Sequence, residues 1–411
     1  MNTYALVILV VLLGEYALSL VTSRLNLRAL SPDVPSEFQG VFDCETYARS
    51  QAYTRATTRF GLLRSTVNLA LVLAVWQLGG FEWVDRLVRS AGYGPVATGL
   101  LFMGTLGLAT TVLGLPFRLY GTFVLESRFG FNRTTVATFV ADFFKGLVLT
   151  IVIGGTLMVG ILFFFGWAGS LAWLWCWFAA IVFLMVVQFI APTWIMPLFN
   201  TFTPLDSGAL RDEILAYAES AAFPLKGIFV VDGSKRSSKA NAFFTGLGRN
   251  KRIGLFDTLV EKYSVPELVA VVAHEVGHYK KGHIVRGLVL QIAYLGGLFF
   301  VMSVVLRQEG LFQAFGMTEM SVYAGLVFFG LLFTPVEMVL SMYVHAVSRR
   351  NEFEADAFAA ETTGGSEPLI AALKKLSADS LSNLTPHPFH VFLHYSHPPV
   401  LRRIAALRSS P

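Results

Sequence analysis

The sequence predicts an α-helical polytopic membrane protein: seven spanning helices with an α+β metal-binding domain on one side. Three observations carry this. Of the 411 residues, 54% are hydrophobic and only 14% are charged, against roughly a quarter charged in soluble domains. Seven stretches reach the about 20 apolar residues that crossing a bilayer takes. One polar region, about 206–286, interrupts them and contains His274-Glu275-Val276-Gly277-His278. Mean hydropathy, +0.59, agrees. The net charge of +5 is modest. Its Lys and Arg residues lie along flanks and loops, a pattern of membrane topology that argues against a nucleic-acid surface. Cys44 and Cys176 are far apart and form neither a disulfide framework nor a metal cluster, so the redox compartment stays open.

The first span, about 4–22, lacks a basic start and a small-residue cleavage site, and reads as a retained helix. The next four are about 62–80, 95–115, 146–166 and 171–193, with Trp167 to Ser170 joining the last two as a tight hairpin. The sixth and seventh, 287–306 and 321–343, each run into helical polar sequence. Seven spans put the termini on opposite sides. With the N-terminus outside, the inside loops carry Arg24, Arg28, Arg49, Arg55, Arg59, Arg118, Arg128, Arg133 and the basic region 206–286. The outside loops carry Arg86, Arg89 and Arg307. The positive-inside rule therefore gives N-out, C-in, with the histidine motif facing the cytosol.

Within the polar region, Asp206 to Ala222 reads as an amphipathic helix and Gly227 to Asp232 as a short strand. Asn241 to Gly246 and Arg252 to Phe256 read as two further strands around the polar turn Leu247 to Lys251. Val265-Pro266-Glu267 opens a helix with Pro in its first turn, and that helix carries the motif. The chain divides into a membrane part, 1–205, and a zinc domain, 206–286. The last two spans, 287–345, and a C-terminal part, 346–411, complete it.

On a helix His274 and His278, four apart, share a face and can hold one zinc ion. Glu275 beside them is placed to take the proton of a water on the metal. Two helix-surface histidines are the plainer reading, but they leave Glu275 and Gly277 unexplained. A hydrolytic zinc takes three protein ligands and keeps one position open. The acidic segment Arg349 to Phe358 supplies candidates: Glu352 and Asp356 share a face, while Glu354 points away. Glu352 fits the ligand role, and Asp356 fits the acceptor that orients a ligand histidine. The alternative is a solvated helix with Arg349 and Arg350 as ion-pair partners. Of the eight histidines, His283 lies five past His278, so helical spacing points it elsewhere. His345 ends the seventh span, as an interfacial or an inner residue. His397, in Tyr395-Ser-His-Pro-Pro399, is held by two prolines and suited to face a developing oxyanion.

These residues resemble the type I CAAX prenyl proteases, integral-membrane zinc metalloendopeptidases. The likeness runs nearly end to end. It takes in Ala52 to Phe60, Phe129 to Thr135 with Asp142 and Lys145, and Ala191 to Asn200. It continues through Ser237 to Gly246, Phe256 to Thr258, His274 to His283, Asn351 to Asp356 and Ser396 to Pro399. The resemblance implies seven helices enclosing a water-filled chamber, which would house Asp142, Lys145 and Glu337. It implies His274, His278 and Glu352 as ligands of one Zn2+ per chain. It further implies Glu275 as base, His397 on the oxyanion, and Asp356 and Arg403 in support. Asn241, Ala242, Phe243 and Phe244 resemble the edge strand that holds a peptide by strand addition.

The implied partner is a peptide or protein substrate, CAAX-type with or without its prenyl group, alongside the lipid bilayer. The short polar connection after His278 and the absence of a large insertion at 308–320 point to a bacterial inner-membrane member rather than an endoplasmic-reticulum one. Bacteria generally do not prenylate their proteins, so a membrane quality-control protease without prenyl specificity is the alternative. A heat-shock-type membrane protease has fewer spans. An intramembrane-cleaving metalloprotease would bury the motif, whereas polar Tyr279 to His283 follows at once. A transporter or lipid-binding protein with structural zinc would close its site with a fourth ligand; no cysteine lies near, which leaves His345 or His397.

Overall fold

The structure is a computed structural model that describes residues 2–246 and 251–409. The turn expected at Leu247 to Lys251 lies, as far as Asn250, outside the described residues. Seven helices are long and apolar enough to cross a membrane: Thr3–Arg28, Cys44–Gln77, Pro95–Glu126, Val136–Trp167, Gly169–Leu198, His283–Val305 and Val322–Thr362. Each overlaps one expected span, and most extend beyond it; the second ends at Gln77, short of the expected 80. The seventh, 41 residues, is roughly 60 Å long, about twice the hydrocarbon thickness. Nothing in Arg349 to Ala360 breaks a helix, so its polar end continues unbroken into the soluble domain.

Among the helices that were not expected are two short ones, Gly80–Arg89 and Glu309–Ala314. They pack together at the end of the bundle remote from the motif, around Trp76, Phe81, Phe312, Phe315 and Phe328. Phe315 stacks on Phe328 with ring centres 3.9 Å apart. Asp85 there accepts hydrogen bonds from Arg89 and Tyr323.

The soluble domain holds a four-stranded sheet in the order β1-β2-β4-β3: β1 (Phe202–Pro204), β2 (Leu225–Val231), β3 (Ala242–Thr245) and β4 (Lys251–Phe256). β2 and β4 run parallel, with Ile228 opposite Ile253. β1 and β3 are antiparallel to their neighbours, and Phe244 also faces Ile253. One sheet face packs on the motif helix, Val265–Lys280, through Ile253, Leu255, Leu268 and Val272. The same core takes Phe38 and Phe42 from between the first two spans. That segment, grouped with the membrane part by sequence, thus packs against the soluble domain, its aromatic pair buried edge to face in the shared core.

Between these two ends the spans pack sparsely, with only 6–17% of each apolar window buried. Glu15 and Glu337, on the first and seventh spans, are exposed, with no ion-pair partner among the described residues. A carboxylate at that depth facing lipid is costly, so the helices ring a water-filled interior. Asp142 and Lys145 have protein partners instead. Asp142 takes a bidentate pair from Arg236 at 2.7 and 2.9 Å, and Lys145 donates to the Leu198 carbonyl at 2.6 Å.

Candidate active site

The motif helix begins at a capping box: Ser264 and Glu267 exchange side-chain-to-backbone hydrogen bonds, and Pro266 sits in the first turn. Lys375 from the following soluble helix, Glu367–Asp379, pairs with Glu267 at 2.7 Å. The helix then crosses the seventh-span helix at Gly277. A Cβ there would stand 3.1 Å from both Cα and O of Ala355. A residue without a side chain lets the two backbones approach, and this brings Glu352 over the histidine pair.

The three donor sets converge. His274 Nε2 lies 3.2 Å from His278 Nε2 and 3.5 Å from Glu352 Oε2. His278 Nε2 lies 3.4 Å from Glu352 Oε1. Donors about 2.0–2.1 Å from a tetrahedral zinc stand about 3.3 Å apart, so the spacing fits that ion. Glu352 Oε2 is buried and takes no hydrogen bond, although Arg403 Nη1 is 3.3 Å away. An orphaned carboxylate oxygen among imidazoles is what a metal ligand looks like without its ion.

Each histidine is oriented from behind. His274 Nδ1 meets Asp356 Oδ1 at 2.9 Å. Asp356 in turn takes Arg403 Nε and Nη2 at 2.8 and 2.6 Å. That arrangement puts the His274 proton on Nδ1 and leaves Nε2 free. Burial would pull the His274 pKa down, but the Asp356 and Glu352 carboxylates outweigh it and carry it to about 9. The same surplus of negative charge favours a cation between the donors. Burial pushes the Glu275 carboxyl above the usual carboxylate range, against the pull of His274 and His278.

His283 departs from the expectation that it points away. It is buried, and its Nδ1 sits 3.0 Å from His278 Nδ1. Its Nε2 is 3.1 Å from Glu354 Oε2. The reason is Gly282, at φ +70°, which separates the motif helix from the next helix, His283–Val305, so helical spacing no longer applies across it. With the His278 proton on Nδ1, His283 accepts it and donates from Nε2 to Glu354, a consistent tautomer chain. Glu354, which spacing also turned away, therefore supports the centre through two histidines.

His397 is 64% exposed in its side chain, with Nε2 3.4 Å from Glu352 Oε1 and Nδ1 2.9 Å from Ser396 Oγ. Arg349 pins this loop, donating to the Tyr395 carbonyl at 2.6 Å. His345 donates to the Leu393 carbonyl at 3.0 Å, away from the centre. Neither role had a sequence signal, since both join the seventh-span helix to the short helix Pro388–His394 and its C-cap Tyr395, 42–48 residues away. Ala242, Phe243 and Phe244 lie in β3, which is an edge of the sheet, and Asn241 directly precedes it.

A family model described as "CAAX prenyl protease N-terminal, five membrane helices" matches residues 23–201, and one described as "Peptidase family M48" matches 204–410. A CAAX prenyl protease 1 homolog of Oryza sativa subsp. japonica is 36% identical over 93% of this chain and 92% of its own. CAAX prenyl protease 1 of Saccharomyces cerevisiae is 36% identical, covering 95% and 91%. The human homolog is 34% identical, covering 92% and 89%. Among solved structures, the crystal structure of S. mikatae Ste24p is similar over 99% of both chains, with a TM-score of 0.94 and 32% identity.

Proposed function

The chain belongs to the CAAX prenyl protease branch of peptidase family M48, and on that premise we propose that it cleaves CAAX-type chain ends with one zinc ion, at the cytosolic mouth of its chamber. It is a multi-pass membrane metalloendopeptidase acting on a peptide or protein substrate. The observation that carries the zinc reading is the set His274, His278 and Glu352, whose donors stand within 4.8 Å of one another.

When bound, zinc would supply a Lewis acid and a water acidified to a pKa of about 7. Glu275 takes the proton of the attacking water and hands it to the leaving amine, a role that its raised pKa suits. His397 stands on the exposed side of the centre, where its Nε2–H donates to the oxygen gaining charge. Asp356 and Arg403 keep His274 in its ligating tautomer. The substrate backbone pairs with the outer edge of β3, beginning at Asn241. The cytosolic orientation rests on the distribution of Arg and Lys between loops.

Two quenched peptides with the same CAAX tail, one prenylated and one bare, test the proposal on the zinc-loaded protein. Both are expected to be cut, with the prenylated one at least about tenfold better in kcat/KM. That preference reflects the roughly 0.8 kcal/mol gained per CH2 group buried. Equal rates favour the broader quality-control reading. Failure to cut either, with one zinc per chain, contradicts the proposal.

A further inference from the structure

The sheet has a second face that the catalytic groups do not use. Along β3 and β4 the domain core takes Phe244, Ile253 and Leu255. Phe243 and Arg252 alternate to the other side. There they line a cavity of about 110 Å³, closed by Pro192 and Pro197 at the end of the fifth span and by Phe229 of β2. The walls are largely apolar, and Arg252 is the cavity's charged group. Its guanidinium lies 5.6 Å from the Phe229 ring centre, half-buried. Among the described residues no carboxylate stands within ion-pair distance of it. The Phe229 ring holds the guanidinium by cation–π attraction, but its charge is left without an anionic partner. The cavity is therefore complementary to a ligand that brings both apolar bulk and an anion.

Its position says which ligand. Lys251, next to Arg252 on the strand but turned to the opposite, core face, stacks 4.0 Å from the ring centre of Tyr279, and Tyr279 directly follows the ligand His278. This end of the hairpin thus lies beside the catalytic stretch of the motif helix. β3 is also the free edge along which an added strand would run. A tail three residues beyond the cut bond, extended at about 3.3 Å per residue, ends about 10 Å away and carries an α-carboxylate.

We propose that Arg252 binds the substrate's terminal carboxylate, while the cavity beside it receives an aliphatic side chain of the tail. The pair then acts as a ruler that selects chain ends. This rests on the CAAX reading above. The test uses the full-length, zinc-loaded protein and two peptides that differ only in a free C-terminal carboxylate or a carboxamide. For wild type, amidation should lower kcat/KM roughly tenfold or more, mainly through KM, as the loss of a charged hydrogen bond does. Arg252→Gln should lose a similar factor on the free acid and become indifferent to amidation, and Arg252→Lys should retain part of the preference. If wild type cuts both peptides equally, or if Arg252→Gln slows both by one factor, the inference is wrong. If wild type cuts neither, the CAAX reading itself fails. The wild-type comparison holds even where the Gln variant does not fold.

Discussion

Removing the His283 imidazole should loosen the metal without touching a ligand. In His283→Ala the His278 Nδ1–H loses its acceptor, and with it the link to Glu354. Partners of this kind typically contribute 10–100-fold in metal affinity. Zinc affinity, read by competition with a chelating dye, should fall by that factor, and unchanged affinity would dismiss the relay. The contrast with the other site residues is instructive. His274, Glu275, His278, Glu352 and Asp356 were legible because each pair sits on one unbroken helix, where spacing fixes direction. His283 was not, since a left-handed glycine intervenes. Arg349 was missed because its partners are carbonyls at the C-terminal end of a distant short helix, Pro388–His394.

The motif helix depends on its first turn as much as on its histidines. Glu267 is buried, yet its carboxyl is held below the usual range: burial opposes this, while the Lys375 ammonium and the Ser264 bonds outweigh it. A depressed folded pKa gives stability that is fully present above the unfolded value, about 4.3, and is lost as pH falls through the folded one. Wild type should therefore melt above Glu267→Gln at pH 7, by about 1 kcal/mol or more. The two curves should converge as pH drops below about 4. Melting in detergent across that range checks it, and a gap that widens in acid would refute it. At this scale the longer strands could be read from their β-branched and aromatic runs. β1 could not, being three residues that include Pro204. The helices Gly80–Arg89 and Glu309–Ala314 were also missed, since their 10 and 6 residues are too few for periodicity to separate them from loops.

The whole molecule is a ring of helices closed at one end by an aromatic cluster and at the other by the protease domain. Span number was readable from hydropathy alone. The enclosed space was not, because hydropathy cannot tell a helix face turned to lipid from one turned to a chamber. Exposed Glu337 supplies the distinction, and Glu337→Cys should react with a membrane-impermeant, water-soluble maleimide in intact proteoliposomes. A lipid-facing position would stay unlabelled. The chemistry centres on Glu275, whose proposed role rests on its place beside the converging donors. The most direct test is Glu275→Gln, measured for zinc content and peptide cleavage together. One zinc per chain should remain while turnover falls by at least roughly 10²–10⁴. Near-wild-type cleavage with that zinc still bound would contradict the account.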